Sequence, residues 1–278
     1  MSDQPIMQAM PLIAIDIGNT AIKAAAYSPQ ATRDGSVAAP EQSDGADCSR
    51  GEILRLPVTT SDFSPLMSLA MGEAVRWWIA SVHRPAAQRL ADWLRKHRPA
   101  DEVHLVTFGD VPIVASVRFP ERVGIDRLLS AAAANQLRAP ARPAIVVDAG
   151  SAVTVDAVDA DGTFLGGAIF PGASLMAKSL AVHTDQLPLI ATEIVNAPSS
   201  IGKATDEAIA AGVCWALLGG IREIVERTSQ SLSPTPELFL TGGDAVWLNE
   251  HLAGDYRYVP DLVLRGVLHA ARRADQPA

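Results

Sequence analysis

An α/β protein built as two related halves, each with a mixed central sheet, is the fold class that the sequence predicts. Three observations carry the prediction. An apolar strand that ends in an acid, turns at a glycine and returns as an alternating strand occurs at Leu12–Tyr27 and again at Ala144–Val158. Helical and strand patterns alternate between and after these openings, as in chains whose sheets are covered by helices. The length of 278 residues accommodates two units of about 140 residues, which places the halves at 1–140 and 141–278.

In the first half, Leu12-Ile13-Ala14-Ile15-Asp16 reads as a buried strand entering a tight turn at Gly18-Asn19, and Ala21 to Tyr27 as the returning strand of a hairpin. Pro, Gln, Asp, Ser and Gly dominate from Ser28 to Gly51, so 28–51 reads as a loop insertion. Ile53 to Val58 suits a third strand. Ser64-Pro65 predicts a helix start ahead of Leu66 to Arg76, and Trp77 to Val82 a buried strand. Pro85 opens an amphipathic helix with Leu90, Trp93 and Leu94 on one face. Val103 to Val106 is a further strand, and the alanine-rich stretch Ile125 to Leu137 a helix.

The second half repeats the opening. Ala144 to Asp148 is a strand ending in an acid, Gly150-Ser151 a turn, and Val153 to Val158 the return. Asp159-Ala160-Asp161-Gly162 is a hairpin turn leading to a strand over Phe164 to Phe170. Pro171-Gly172 starts a helix through Val182, and a long helix is expected from Ala204 to about Thr228. Leu238 to Thr241 is a strand stopped by Gly242-Gly243, with helices after Asp244 and from Asp261 to Ala274. A duplicated arrangement of this kind places a ligand in the cleft between its halves.

Composition narrows the function. Hydrophobic residues are 48% of the chain and charged residues 19%, which excludes disordered, collagen-like and coiled-coil chains. The net charge of −8 comes from 31 acids against 23 bases, and the lysines are Lys23, Lys96, Lys178 and Lys203. This balance speaks against a nucleic-acid partner and against an anionic membrane surface. Cys48 and Cys214 make no disulfide framework and no zinc pattern. Apolar runs are interrupted by Asp, Gly, Arg or Pro, so no membrane span is expected, and Met1 to Pro11 lacks the features of a secretion signal. A reduced, cytoplasmic compartment is the expectation.

The chemistry concentrates in the turns. In Asp16-Ile17-Gly18-Asn19-Thr20, glycine permits a sharp turn whose amides and hydroxyl can hold phosphate oxygens. An aspartate at the strand end suits a hydrated Mg²⁺, and Lys23 lies where it can point back to the same phosphates. The bland alternative is an ordinary Asx-type hairpin turn. Asp148-Ala149-Gly150-Ser151 repeats strand end, acid, glycine and hydroxyl, and two such turns would clamp a polyphosphate. Gly242-Gly243 adds a side-chain-free backbone where a flat base such as adenine can approach. Gly202-Lys203 is no P-loop, because position 197 is Ala and Ala-Thr follows Lys203.

Paired Asp-x-Gly turns with a late Gly-Gly turn resemble the superfamily of actin, sugar kinases and heat-shock chaperone ATPases. More narrowly, four segments resemble the type III pantothenate kinases: Asp16-Ile17-Gly18-Asn19-Thr20-Ala21-Ile22-Lys23, Gly124-Ile125-Asp126-Arg127, Asp148 to Asp156, and Gly166 to Gly172. His183-Thr184 and Gly202 to Thr205 are weaker matches. The resemblance implies a two-domain actin-like ATPase fold of the duplicated ribonuclease H-like kind. It also implies ATP-dependent phosphorylation of pantothenate to 4′-phosphopantothenate, the first step toward coenzyme A, in a homodimer.

Carried over residue by residue, the resemblance makes Asp126 the base beside the attacking hydroxyl and gives Gly124, Ile125, Asp126, Arg127, His183 and Thr205 to pantothenate. Residues 16 to 23, with Ser151, would contact ATP, joined by Gly242 and Gly243. Asp148 would hold a monovalent cation, K⁺ or NH₄⁺. His183 and Thr205 are similar to residues that reach the substrate across a dimer interface. Plainer readings stand beside these: a helix N-terminus for Asp126 and Arg127, an N-cap for Thr205 and a surface residue for His183. The family commonly has a tyrosine seven residues before the glycine of Gly-x-Asp-Arg; here that position is Val117. That departure keeps a kinase for another small alcohol in play. A non-catalytic regulator resembling the Bvg accessory factors is the alternative from another class.

Overall fold

The computed structural model describes residues 10–27, 52–71, 74–192 and 198–276. The 28–51 insertion and Cys48 lie outside the described residues. Packing divides the chain into two compact units that interleave in sequence. One comprises Met1–Pro112, Gly124–Leu129 and Val263–Ala278, the other Ile113–Val123 and Ser130–Leu262.

The first unit is built on a five-stranded sheet. β1 (Leu12–Ile17) is buried along its whole length, because it pairs antiparallel with β2 (Ala21–Tyr27) and parallel with β4 (Arg76–Ser81). A strand covered on both faces reads as a continuous apolar run, which is why this strand is visible in the sequence. β3 (Leu54–Pro57) adds to β2 and β5 (Glu102–Leu105) to β4, giving the order β3-β2-β1-β4-β5. α1 (Arg84–His97) starts at Pro85 in its first turn, with the His83 ring nitrogen Nδ1 accepting from the Ala86 N–H. Its apolar face, Ala86, Ala87, Leu90, Ala91 and Leu94, is buried, and Ala86, Ala87, Leu90 and Leu94 join the core of Ile13, Ile15, Phe63, Leu66 and Trp77.

The helix expected over Leu66 to Arg76 is corrected. Among the described residues of this stretch the helical part is the 3₁₀ helix Ser64–Ser68, and Arg76 already belongs to β4. The Arg76 N–H donates to the Pro11 carbonyl at 2.9 Å, so pairing with the β1 side claims the end of the expected helix for the sheet.

The second unit carries a six-stranded sheet in the order β11-β10-β7-β8-β9-β6. Its strands are β6 (Val114–Ala115), β7 (Ala144–Ala149), β8 (Ala152–Val158), β9 (Thr163–Pro171), β10 (Glu237–Gly242) and β11 (Tyr256–Tyr258). β7, β8 and β9 form an antiparallel meander, and β10 and β11 extend it in parallel from β7. The first sheet has the same plan, so the duplication read from the two openings reappears as duplicated topology.

α3 (Ala173–His183) and α4 (Thr205–Gln230) cover this sheet. By length and composition α4 could cross a membrane. Its apolar residues Val213, Cys214, Leu217, Leu218, Ile221 and Val225 instead pack with Ile145, Val147 and Val155 in the core. α5 (Ala245–His251) follows β10. α2 (Ile125–Leu137) and α6 (Leu262–Ala274) each contribute residues to both units. An added Cβ on Gly266 of α6 would lie 2.2 Å from the Leu129 carbonyl oxygen, so the two helices approach where α6 has no side chain.

Candidate functional site

In the first unit the site grows out of the β1–β2 hairpin. The Gly18 N–H donates to the Ala21 carbonyl at 3.0 Å, which closes the turn. Gly18 is half-buried, whereas Asn19 and Thr20 are exposed. Ladder register puts Asp16 directly opposite Lys23. Their side chains form an ion pair of 3.9 Å, with Asp16 buried and Lys23 half-buried. Ile17 and Ile22 point into the core and fix the hairpin.

Gly124 and the start of α2 place Asp126 in the same unit. Its Oδ1 accepts the Arg127 N–H at 2.8 Å. Burial pushes the Asp126 carboxyl above the ordinary carboxylate range; the Arg127 N–H and the positive charges of Arg127 and Lys23 pull against that shift without cancelling it. Lys23 thus acts electrostatically on both Asp16 and Asp126. A half-buried carboxyl with a raised pKa, held by a backbone N–H, has the properties required of a general base.

In the second unit the corresponding turn closes through the Gly150 N–H and the Ala152 carbonyl at 3.1 Å. Asp148 faces Thr154 across one ladder and Thr241 across the other. Two further glycines meet this turn. An added Cβ on Gly172 would lie 2.1 Å from the Gly150 carbonyl oxygen, and one on Gly242 would lie 2.2 Å from that of Ala149. Gly242 also has φ of +104°, a conformation that only glycine adopts readily. Gly243 is exposed and nothing lies within 4 Å of a Cβ there. Asp148, Ser151, Gly242 and Gly243 therefore converge on one edge, the ends of β7, β8 and β10.

Asp244 joins them, its N–H donating to the Ala149 carbonyl at 3.1 Å. Burial raises its carboxyl pKa. Sequence reasoning passed over Asp244 as a mere helix start; its place directly after the glycine pair was the available signal.

His183 and Thr205 are exposed, at the end of α3 and the beginning of α4. Thr205 is the first helical residue; Ala204 occupies the N-cap and no side chain caps the helix there, so the N-cap reading of Thr205 does not hold. Val117 lies against Gly166, where an added Cβ would be 3.3 Å from its Cγ1.

Among the described residues, no three His, Cys, Asp or Glu side chains converge into a metal cage. A lone strand-end carboxylate such as Asp16 fits a divalent ion that keeps most of its waters and enters with a polyphosphate. The hard oxygen donor of Asp148 suits an alkali cation in the same way.

The type III pantothenate kinase family model matches residues 12–227. A type III pantothenate kinase of Rhodopirellula baltica is 37% identical over 276 residues, covering 92% of this chain and 97% of its own. That of Halorhodospira halophila is 33% identical, with coverage of 94% and 97%. Among solved structures, a Campylobacter jejuni protein described as a Baf family transcriptional activator superposes with a TM-score of 0.55 at 18% identity, covering 94% of this chain and 98% of its own. A glucokinase from an Antarctic psychrotroph gives 0.50 at 10% identity, with coverage of 96% and 100%. These two likenesses concern the fold, which is that of the actin-like sugar kinases. With the family model spanning both glycine turns and Asp126, the chain belongs to the type III pantothenate kinase family.

Proposed function

We infer that the chain is a phosphotransferase that moves the γ-phosphoryl group of ATP to the 4′-hydroxyl of pantothenate. The observation that carries the site assignment is a half-buried Asp126 whose Oδ1 accepts the Arg127 N–H at 2.8 Å, in the same unit as the Asp16–Lys23 ion pair. Phosphoryl transfer asks a protein mainly for positioning and charge neutralisation. In this reading the amides of Asn19 and Thr20, with the Thr20 hydroxyl and Lys23, hold phosphate oxygens. Ser151 and the Gly242-Gly243 backbone contact the nucleotide. Asp126 accepts the hydroxyl proton, and Arg127 orients the substrate through its guanidinium fork. A divalent ion held by Asp16 and the phosphates would supply charge neutralisation, and a monovalent cation at Asp148 a second positive charge.

A homodimer belongs to the same proposal. Leu175 and Val182 of α3 and Trp215 of α4 are exposed apolar residues on the helices that carry His183 and Thr205. Their exposure supports a second copy covering this face and bringing His183 and Thr205 to the substrate.

The test is ADP release with pantothenate, Mg²⁺ and K⁺, set against sugars, glycerol and acetate as acceptors. ADP release that depends on pantothenate supports the assignment, and release with another alcohol alone overturns the substrate. Equal rates in sodium-only buffer would remove the monovalent cation from Asp148. A chain without any acceptor-dependent ADP release would point to the regulatory alternative.

A further inference from the structure

The Gly18–Thr20 turn is braced from outside its own hairpin. The Thr20 carbonyl accepts the Val58 N–H at 3.0 Å, just beyond β3. Val58 sits in a second tight turn, closed by the Thr60 N–H donating to the Pro57 carbonyl at 3.0 Å. The carbonyls of Val58 and Thr60 are taken by one side chain of α1. Arg89 Nη2 donates to Val58 O at 2.6 Å, and Arg89 Nε to Thr60 O at 3.4 Å. Arg89 is half-buried and neighbours Leu90, which is fully buried in the core, so its anchor is rigid. A guanidinium fork can span two carbonyls, whereas a lysine ammonium is a single point charge. No motif marks this arginine in the sequence.

We propose that Arg89 is a positioning residue for nucleotide binding. It fixes the 57–60 turn, and through Val58 it fixes the Thr20 carbonyl and with it the aim of the Asn19 and Thr20 amides and the Thr20 hydroxyl. Arg89 touches no ligand itself. The proposal rests on the reading of that turn as a phosphate cradle. A cradle already aimed binds with less ordering cost than one that must be fixed on binding.

The experiment compares Arg89→Ala, Arg89→Lys, Thr20→Ala and Arg98→Ala with wild type. Arg98 holds Asp101 through hydrogen bonds of 2.7 and 2.9 Å in the same unit and takes no part in the 57–60 turn, so its removal reports general destabilisation. ATP affinity is measured by calorimetry, KM for each substrate by ADP release, and Tm by melting. The expected result is ATP affinity about tenfold weaker in Arg89→Ala, as for loss of one charge-assisted hydrogen bond. KM for pantothenate stays within about twofold, Arg89→Lys recovers part of the loss, and Arg98→Ala lowers Tm without moving ATP affinity. Unchanged ATP affinity in Arg89→Ala, with weakened affinity in Thr20→Ala, overturns the role of Arg89 and leaves the cradle standing. Unchanged affinity in both overturns this inference and removes the Thr20 hydroxyl from the cradle. Where Arg89→Ala does not fold, Arg89→Gln replaces it and is judged in the same way.

Discussion

On the proposed role of Asp126 as the base, replacing Gly124 with alanine should cost far more turnover than stability. Gly124 lies outside the left-handed region, so alanine can adopt its backbone, and the conflict is steric. The added Cβ would sit 2.6 Å from Oδ1 of Asp126, roughly 0.8 Å inside ordinary contact. The aspartate side chain is short, so relief means rotating the carboxylate away from the Arg127 N–H, now at 2.8 Å. A hydrogen bond to a charged group is worth about 1.5–3 kcal/mol, and a reacting group displaced by about 1 Å can lose on the order of 100-fold in rate. We expect kcat in the ADP-release assay to fall about 100-fold, with stability lowered by about 1–2 kcal/mol once the Gly→Ala gain is set against the lost hydrogen bond. Gly109→Ala is the control, since a Cβ there meets only the Thr107 hydroxyl, at 3.9 Å. A Gly124→Ala enzyme with kcat within twofold of wild type would refute the reasoning, because Asp126 would then not depend on its observed orientation.

Three further variants test other groups of the site and the fold. Asp126→Asn should reduce turnover by at least about 100-fold, the lower range for a general base, while ATP binding by calorimetry stays near wild type. Because burial raises the folded-state pKa of Asp126, its favourable contribution is present at low pH and lost as pH rises through that value. Asp126→Asn should therefore melt at or above the wild-type temperature at neutral pH, and the acid limb of wild-type kcat/KM should lie above the ordinary carboxylate range. Gly242→Ala, with φ of +104° and a Cβ 2.2 Å from the Ala149 carbonyl oxygen, should cost about 3 kcal/mol in denaturant unfolding; a cost below about 0.5 kcal/mol would contradict the close packing. Burial raises the Asp101 carboxyl, but hydrogen bonds from Arg98, Trp77 Nε1 and the Val75 N–H outweigh it and set the pKa below the ordinary value. Its stabilisation is present above the unfolded-state pKa and lost as pH falls through the lowered one, so Asp101→Asn should flatten the acid limb of a stability–pH curve.

Strands buried on both faces were the most legible part of the chain. β1 and β7 stand out because each is an apolar run closed by an acid and a glycine, and α2 because its alanines keep helical character across its whole length. β6 and β11, of two and three residues, are too short to show a period and exist only because β9 and β10 offer them an edge. The helix expected over Leu66 to Arg76 failed because local propensity cannot see that β1 needs Arg76. The site divides along similar lines. Asp16, Asp126, Asp148 and Asp244 carry their signal in neighbouring residues, whereas Arg89 gains its meaning from carbonyls distant in sequence.

The two hairpins share a register but differ at one place. Where Asp16 faces Lys23, Asp148 faces Thr154. A tethered ammonium stays at its post at any ionic composition, while a dissolved ion occupies a place only as mass action allows. The ammonium ion and the lysine head carry the same charged group, so a half that keeps its cation on the chain and a half that borrows one from solution perform equivalent electrostatics. Under the proposed cation reading, one half of this molecule carries its monovalent charge on the chain, whatever the K⁺ or NH₄⁺ concentration around it. The other makes the rate of phosphoryl transfer report on that concentration.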